Sequence, residues 1–148
     1  MSTRENIINN IETTLAGITI AAGYHNDIAF VTRESERFEH FDEITNYPVA
    51  LIVWDSEDKA SEEIGWWTIQ ADLVLIIRGA VYAMSGIETA LNNFLEDVER
   101  ALDVDRTRGG EAAFTYPISI SVYSTDKENV LVFDYRYHIR YFYKHGSP

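Results

Sequence analysis

The chain has 148 residues, no Cys, 46% hydrophobic and 13% aromatic residues, and 24 Asp plus Glu against 12 Lys plus Arg, for a formal net charge of −12. This is the length and composition of one globular domain with a proper core, and it excludes disulfides, thiolate zinc sites and thiol nucleophiles. A chain this acidic is not built to grip phosphate backbones, and the absence of a basic-then-apolar leader or a membrane-length apolar run leads us to expect folding in a cytoplasm, off the membrane.

In chain order, "STRENIINNIETTLAGI" sets Ile7, Ile8, Ile11, Leu15 and Ile18 at helical spacing. Ser2 with Glu5 reads as a capping box, and Gly17 or Gly23 ends the helix. "IAFVTR" (28–33) predicts a short strand. A segment of fourteen residues follows before Pro48, carrying Phe38, Phe41, Ile44 and Tyr47 among acids. Its length and aromatics suit something that docks. "VALIVW" (49–54) is a continuous apolar run, as in a strand covered on both faces. "DSEDKASEEIG" is mostly charge and reads as a loop, either solvated and mobile or facing a cavity. Between Glu34 and Glu63 lie ten acidic and two basic residues, so most of the net charge is concentrated around, and not within, the apolar run.

"WWTIQADLVLIIRG" alternates. Trp67, Ile69, Ala71, Leu73, Leu75 and Ile77 share one face, while Trp66, Thr68, Gln70, Asp72 and Arg78 point the other way. A second helix follows, with Ser85 and Glu88 as its capping box and Ile87, Leu91, Phe94, Leu95, Val98 and Leu102 as its apolar stripe. Leu95, Val98, Leu51 and Leu75 are expected to be nearly fully buried. "YPISISVYS" sets Tyr116, Ile118, Ile120 and Val122 against Ser119, Ser121 and Tyr123. After a "TDKEN" turn, "VLVFDYRYHIRYFY" sets Leu131, Phe133, Tyr135, Tyr137, Ile139, Tyr141 and Tyr143 against Asp134, Arg136, His138 and Arg140.

The order α-β-β-β-α-β-β predicts a single α+β domain over 1–148, with two amphipathic helices on one face of a largely antiparallel or mixed sheet. The other face is left half polar and open to another subunit. Catalytic and cofactor signals are weak. "LEDVERALDVDRTRGG" sets its Gly pair after a helix, where a phosphate loop needs glycines before one. Its acids do not match a calcium loop, and Asp97, Glu99, Arg100 and Asp103 read as a solvated helix flank. Ser85 lacks a nucleophile elbow, and Glu39, His40, Asp42 and Glu43 form an acidic loop without regular metal spacing. No catalytic residue, cofactor or metal is expected. Asp134, Arg136, His138 and Arg140 could make an acid–base site on one strand face, although a paired polar face explains them as well.

The segments "PVALIVWDSED" and "IETALNNFLEDVERALDVDRTRGGEA", with the closing strand pair, resemble the tail terminator (tail-completion or minor tail) proteins of long-tailed bacteriophages. Pro48 to Asp55 and Asp97 to Gly110 carry the likeness, which runs in outline from Glu5 to Tyr143. It implies a non-enzymatic virion protein at the tail–neck junction, assembled in the host cytoplasm. Such proteins form a homo-hexameric ring that caps the tail tube, ends its polymerisation and offers a surface to the head or neck. The implied partners are further copies of itself, the tail tube protein, a neck or connector protein, and the sheath protein where the tail is contractile. DNA passes through the channel without specific binding. The candidate subunit interface is Phe38, Phe41, Tyr47, Trp66, Arg136, His138 and Arg140. Glu57, Asp58, Glu62 and Glu63 are the candidate channel-facing acidic loop. A head–tail connector subunit is the near alternative. From another class, a small enzyme or ligand-binding domain would set its pocket on the open sheet face around Arg136, His138 and Arg140.

Overall fold

The computed structural model describes residues 2–40, 43–62 and 65–148, with side chains described outside 61–66. The first helix, α1 (Thr3–Ala16), starts where the Ser2 hydroxyl accepts from the Glu5 N–H at 3.1 Å. Only half of the expected box forms, because the Glu5 carboxylate turns instead to Arg33. Strands follow as β1 (Phe30–Thr32), β2 (Val49–Glu62) and β3 (Gly65–Tyr82), then helix α2 (Ile87–Asp103) and strands β4 (Phe114–Ser124) and β5 (Val130–Lys144). They build one five-stranded sheet in the order β1-β2-β3-β5-β4. β1 runs parallel to β2, and every other neighbouring pair is antiparallel. The α+β class and the element order therefore match the sequence reading.

Both helices lie on the same sheet face. Ile7, Ile11 and Leu15 of α1 and Phe94, Val98 and Leu102 of α2 close over Leu73, Leu75, Ile77, Phe133, Tyr135, Ile139 and Tyr141. Each such side chain contributes about 1.5–3 kcal/mol by leaving water. Gly79 lies where Phe133 and Phe94 press on β3, so a Cβ there would collide with both rings. Asp97, expected on a solvated flank, is instead fully buried. Its carboxylate accepts from the His25 N–H at 2.9 Å and from the Asn26 backbone and side-chain N–H groups at 3.0 Å each. It thereby ties the α1–β1 connection to α2.

The opposite face carries a second, smaller core. Phe38 and Ile44 fold back over Val49, Leu51, Ala80, Val130 and Val132. This is why "VALIVW" is apolar on both sides. Leu75, Val98 and Leu51 are buried as expected, the last in this second cluster, but Leu95 is only half-buried at the margin of the first.

Three local expectations are corrected. Residues 55–62 form no loop: β2 continues to Glu62 and pairs with β3 down to Gly65. Asp55, Glu57 and Lys59 find partners, and the ladder along β3 carries a sequence of low strand propensity. The second helix is capped by Gly86 at φ 67°, with no side-chain cap from Ser85. In β4 a register shift between Pro117 and Ser119 breaks the alternation, so Tyr116 stands opposite His138 while Ile120 stands opposite Tyr135. Tyr116 is thus on the open face, and Ile120 and Val122 are on the helix face.

The "DVDRTRGG" stretch is turn chemistry, as its residues suggest. The Asp105 carboxylate accepts from the Thr107 N–H at 2.9 Å, the Thr107 hydroxyl at 2.8 Å and the Gly109 N–H at 2.7 Å. These bonds, the Gly109 one foremost, hold its carboxyl below the usual aspartate range. Within this turn Arg108 is buried, with Nη2 donating to the Leu102 carbonyl at the end of α2 at 2.6 Å.

Candidate assembly surface

The polar half of the open sheet face is a grid of oppositely charged neighbours. Cross-strand register sets Arg78 against Asp134 and Asp72 against Arg140. Arg78 grips Asp134 with two bonds of 2.7 and 3.1 Å, and Arg140 grips Asp72 with two of 2.8 and 3.3 Å. A bulge between Trp54 and Ser56 moves Asp55 out of register, and its carboxylate takes Arg136 Nη2 at 2.6 Å. His138 Nε2 lies 3.0 Å from the same Asp72, beneath the Tyr116 ring at 4.6 Å between centroids. Burial pulls the Asp72 carboxyl upward, but bonds from Arg140 and Gln70 outweigh it and hold it below the usual range. The Tyr123 hydroxyl, pushed up to about 12 by burial first of all, stays a proton donor to Asp134 at 3.2 Å. The face presents both signs, already matched.

The sequence-derived candidates separate under this geometry. Arg136, His138 and Arg140 do share the open face, alternating along β5, each facing an aspartate. Phe38 does not belong to an outer interface: it is 6% exposed inside the second core, where it and Ile44 pack on their own chain. Tyr47 is half-buried beside that core and packs on Tyr82 at 5.9 Å. Phe41 and the side chain of Trp66 lie outside what is described.

The proposed acidic loop is also redrawn. Glu57 and Asp58 sit in strand β2, not in a loop. The Glu57 carboxylate is 5% exposed, held by Arg4 at 2.6 and 3.0 Å and by the Tyr141 hydroxyl at 2.5 Å. Burial raises its carboxyl, yet the bonds from Arg4 and Tyr141 prevail and leave it below the ordinary value. Asp58 remains exposed on the open face. The Glu62 side chain and the whole of Glu63 lie outside the described residues.

What sequence reasoning missed is the edge. β4 is the last strand of the sheet, and Phe114, Tyr116, Ile118, Ile120, Val122 and Tyr123 are each at least 38% exposed. "FTYPISISVYS" contains no charged residue. An uncharged apolar strand at a sheet edge is what soluble monomers avoid. Its alternation suggested a half-buried strand, but Tyr123 falls in the opposite parity class from Phe114, Tyr116, Ile118, Ile120 and Val122. That was the available signal.

On the other side, β1 covers β2 only from Val49 to Leu51. From Ile52 to Glu62 the outer edge of β2 has no strand partner among the described residues, and Trp54 there is 54% exposed. Together these features define an α+β domain with one helix-covered sheet face, one partly charge-paired face and two open edges.

No protein-family model matches the chain, and no curated protein does. Among solved structures, a chain of "Virion of native gene transfer agent (GTA) particle" is similar over 96% of this chain and 92% of its own length, with a TM-score of 0.43 and 11% sequence identity.

Proposed function

We propose that this protein is a non-enzymatic virion subunit that assembles with copies of itself into a ring capping the phage tail tube. The ring ends tube polymerisation and presents its far side to the head or neck. The observation that carries the assembly reading is β4: an exposed, charge-free edge strand with six large apolar side chains. Burying it against another polypeptide is the stable outcome for such an edge. The specific role rests on the tail-terminator resemblance of Pro48–Asp55 and Asp97–Gly110. The matched charges of the open face support a conduit reading, because arginines already held by aspartates offer no free cation to passing DNA. The same pairing weighs against a ligand site at Arg136, His138 and Arg140.

Mass measurement of the purified protein and electron microscopy test the ring. Addition to polymerising tail-tube protein tests the cap. Closed rings that stop tube growth at substoichiometric amounts are expected. A protein that stays monomeric at all concentrations, or that leaves tube length unchanged, overturns the reading.

A further inference from the structure

We propose that β4 of one copy pairs antiparallel with the free edge of β2, Ile52 to Glu62, in the next copy, joining subunits head to tail through one continuous sheet. This deepens the ring reading and rests on it. The two edges are of equal length, eleven residues each, and they are the two long unpaired strand edges among the described residues.

Their chemistry selects the pairing. The β2 edge carries Asp55, Glu57, Asp58 and Glu62 against a single Lys59. Joining two β2 edges would set acid against acid, which cross-strand neighbours disfavour. The charge-free β4 meets that edge without like-charge contact. On the helix side, exposed Ile120 and Val122 of β4 would cover exposed Trp54 of β2. On the open side, Tyr116 brings a hydroxyl donor to a strand whose Asp58 is exposed.

Strand direction agrees. β2 and β5 both run antiparallel to β3, and β4 runs antiparallel to β5. Copies arranged in one orientation around an axis therefore present β4 antiparallel to β2. Such an interface uses two different patches, and it closes into a ring when the rotation allows. A β4-to-β4 contact would instead end at a two-fold dimer, with the β2 edge still open.

The absence of native Cys makes the test clean. Ser56→Cys labels the β2 edge, and Ser119→Cys and Ser121→Cys sample the β4 register, all at exposed positions. Under mild oxidation, a mixture of Ser56→Cys with one β4 variant should give a covalent dimer, and a doubly substituted chain should give a ladder ending at the ring. Each variant alone should stay monomeric on denaturing gels. Self-linking of Ser119→Cys or Ser121→Cys alone establishes a two-fold β4 contact and overturns the proposal. Rings that form without any mixed link, and persist when Ile120→Lys is added, overturn this seam while leaving the ring reading intact. Absence of both rings and links defeats the two together.

Discussion

Two buried acids fix the fold at single positions, and each makes a quantitative prediction. Asp97 accepts three hydrogen bonds from residues more than seventy positions earlier in the chain. Replacing it by Ala takes the acceptor from these part-buried donors and leaves a gap beside α2, so Asp97→Ala should cost about 1–3 kcal/mol in denaturant unfolding. A loss under about 0.5 kcal/mol would mean that the 25–26 connection is not anchored there. Glu57 predicts a pH dependence. Its carboxyl is held below the ordinary value of 4.5 in the fold, since the bonds from Arg4 and Tyr141 outweigh burial. A depressed carboxylate contributes stability that is complete above 4.5 and is lost as pH falls through the lower folded value. The stability advantage of the wild type over Glu57→Gln should therefore be greatest near neutrality and shrink as pH falls below 4.5. An advantage independent of pH between neutrality and the acid limb would remove the ion pair from the account.

At the scale of elements, α2 tests how the core is divided. Phe94 and Val98 point into the sheet while Leu95 lies at the margin. Phe94→Ala should cost about 3–5 kcal/mol, and Leu95→Ala only about 1–2 kcal/mol because its cavity opens to solvent. Equal costs would mean that α2 is rotated on the sheet. The stripes of both helices and the inward faces of β3 and β5 were legible in the sequence because period and burial coincide there. The distal part of β2 was not, because "DSEDKASEE" has loop composition, and its strand character comes from β3 beside it and from distant partners such as Arg4 and Arg136. Pairings that far apart leave no local trace. The role of Phe38 was hidden for the same reason: an aromatic in an acidic segment looks like an outward anchor until the second face of "VALIVW" is seen to need a cover. Of the interface candidates, the β5 residues were legible through alternation. The β4 edge was obscured by a one-residue bulge that moves Tyr116 to the other face. For β4 itself, Ile120→Lys and Val122→Lys should change folding stability by less than about 0.5 kcal/mol, since both side chains are exposed, yet abolish assembly. Unchanged particle mass would take β4 out of the interface.

For the whole molecule, charge decides what the assembly tolerates. Each copy carries −12, and a ring concentrates that charge, so self-repulsion opposes closure at low ionic strength. Repulsion between exposed charges is largely screened beyond about 10 Å at 0.1 M salt, so the assembled fraction should rise as salt is raised toward physiological strength. Assembly that weakens with added salt would point instead to an interface held by intersubunit ion pairs. The open face permits a sharper test of the conduit reading. Arg78, Arg136 and Arg140 are held by Asp134, Asp55 and Asp72. Replacing the three acids by Asn keeps shape and hydrogen-bonding capacity while freeing three guanidinium charges on one surface. Such partly exposed pairs contribute only about 0–1 kcal/mol each, so the triple variant should remain folded. Glu57 is no target for such a test, because its carboxylate is buried beneath Arg4 and Tyr141. Wild-type protein should ignore double-stranded DNA at physiological salt. The triple variant should bind it, with an affinity that falls steeply as salt rises, because phosphates would replace the lost aspartates and release counterions. If the folded triple variant still ignores DNA, the aspartates are not what keeps this face inert. The open face would then lose its claim to the channel, while the assembly reading would still stand on the β4 edge and the capping role on the tail-terminator resemblance.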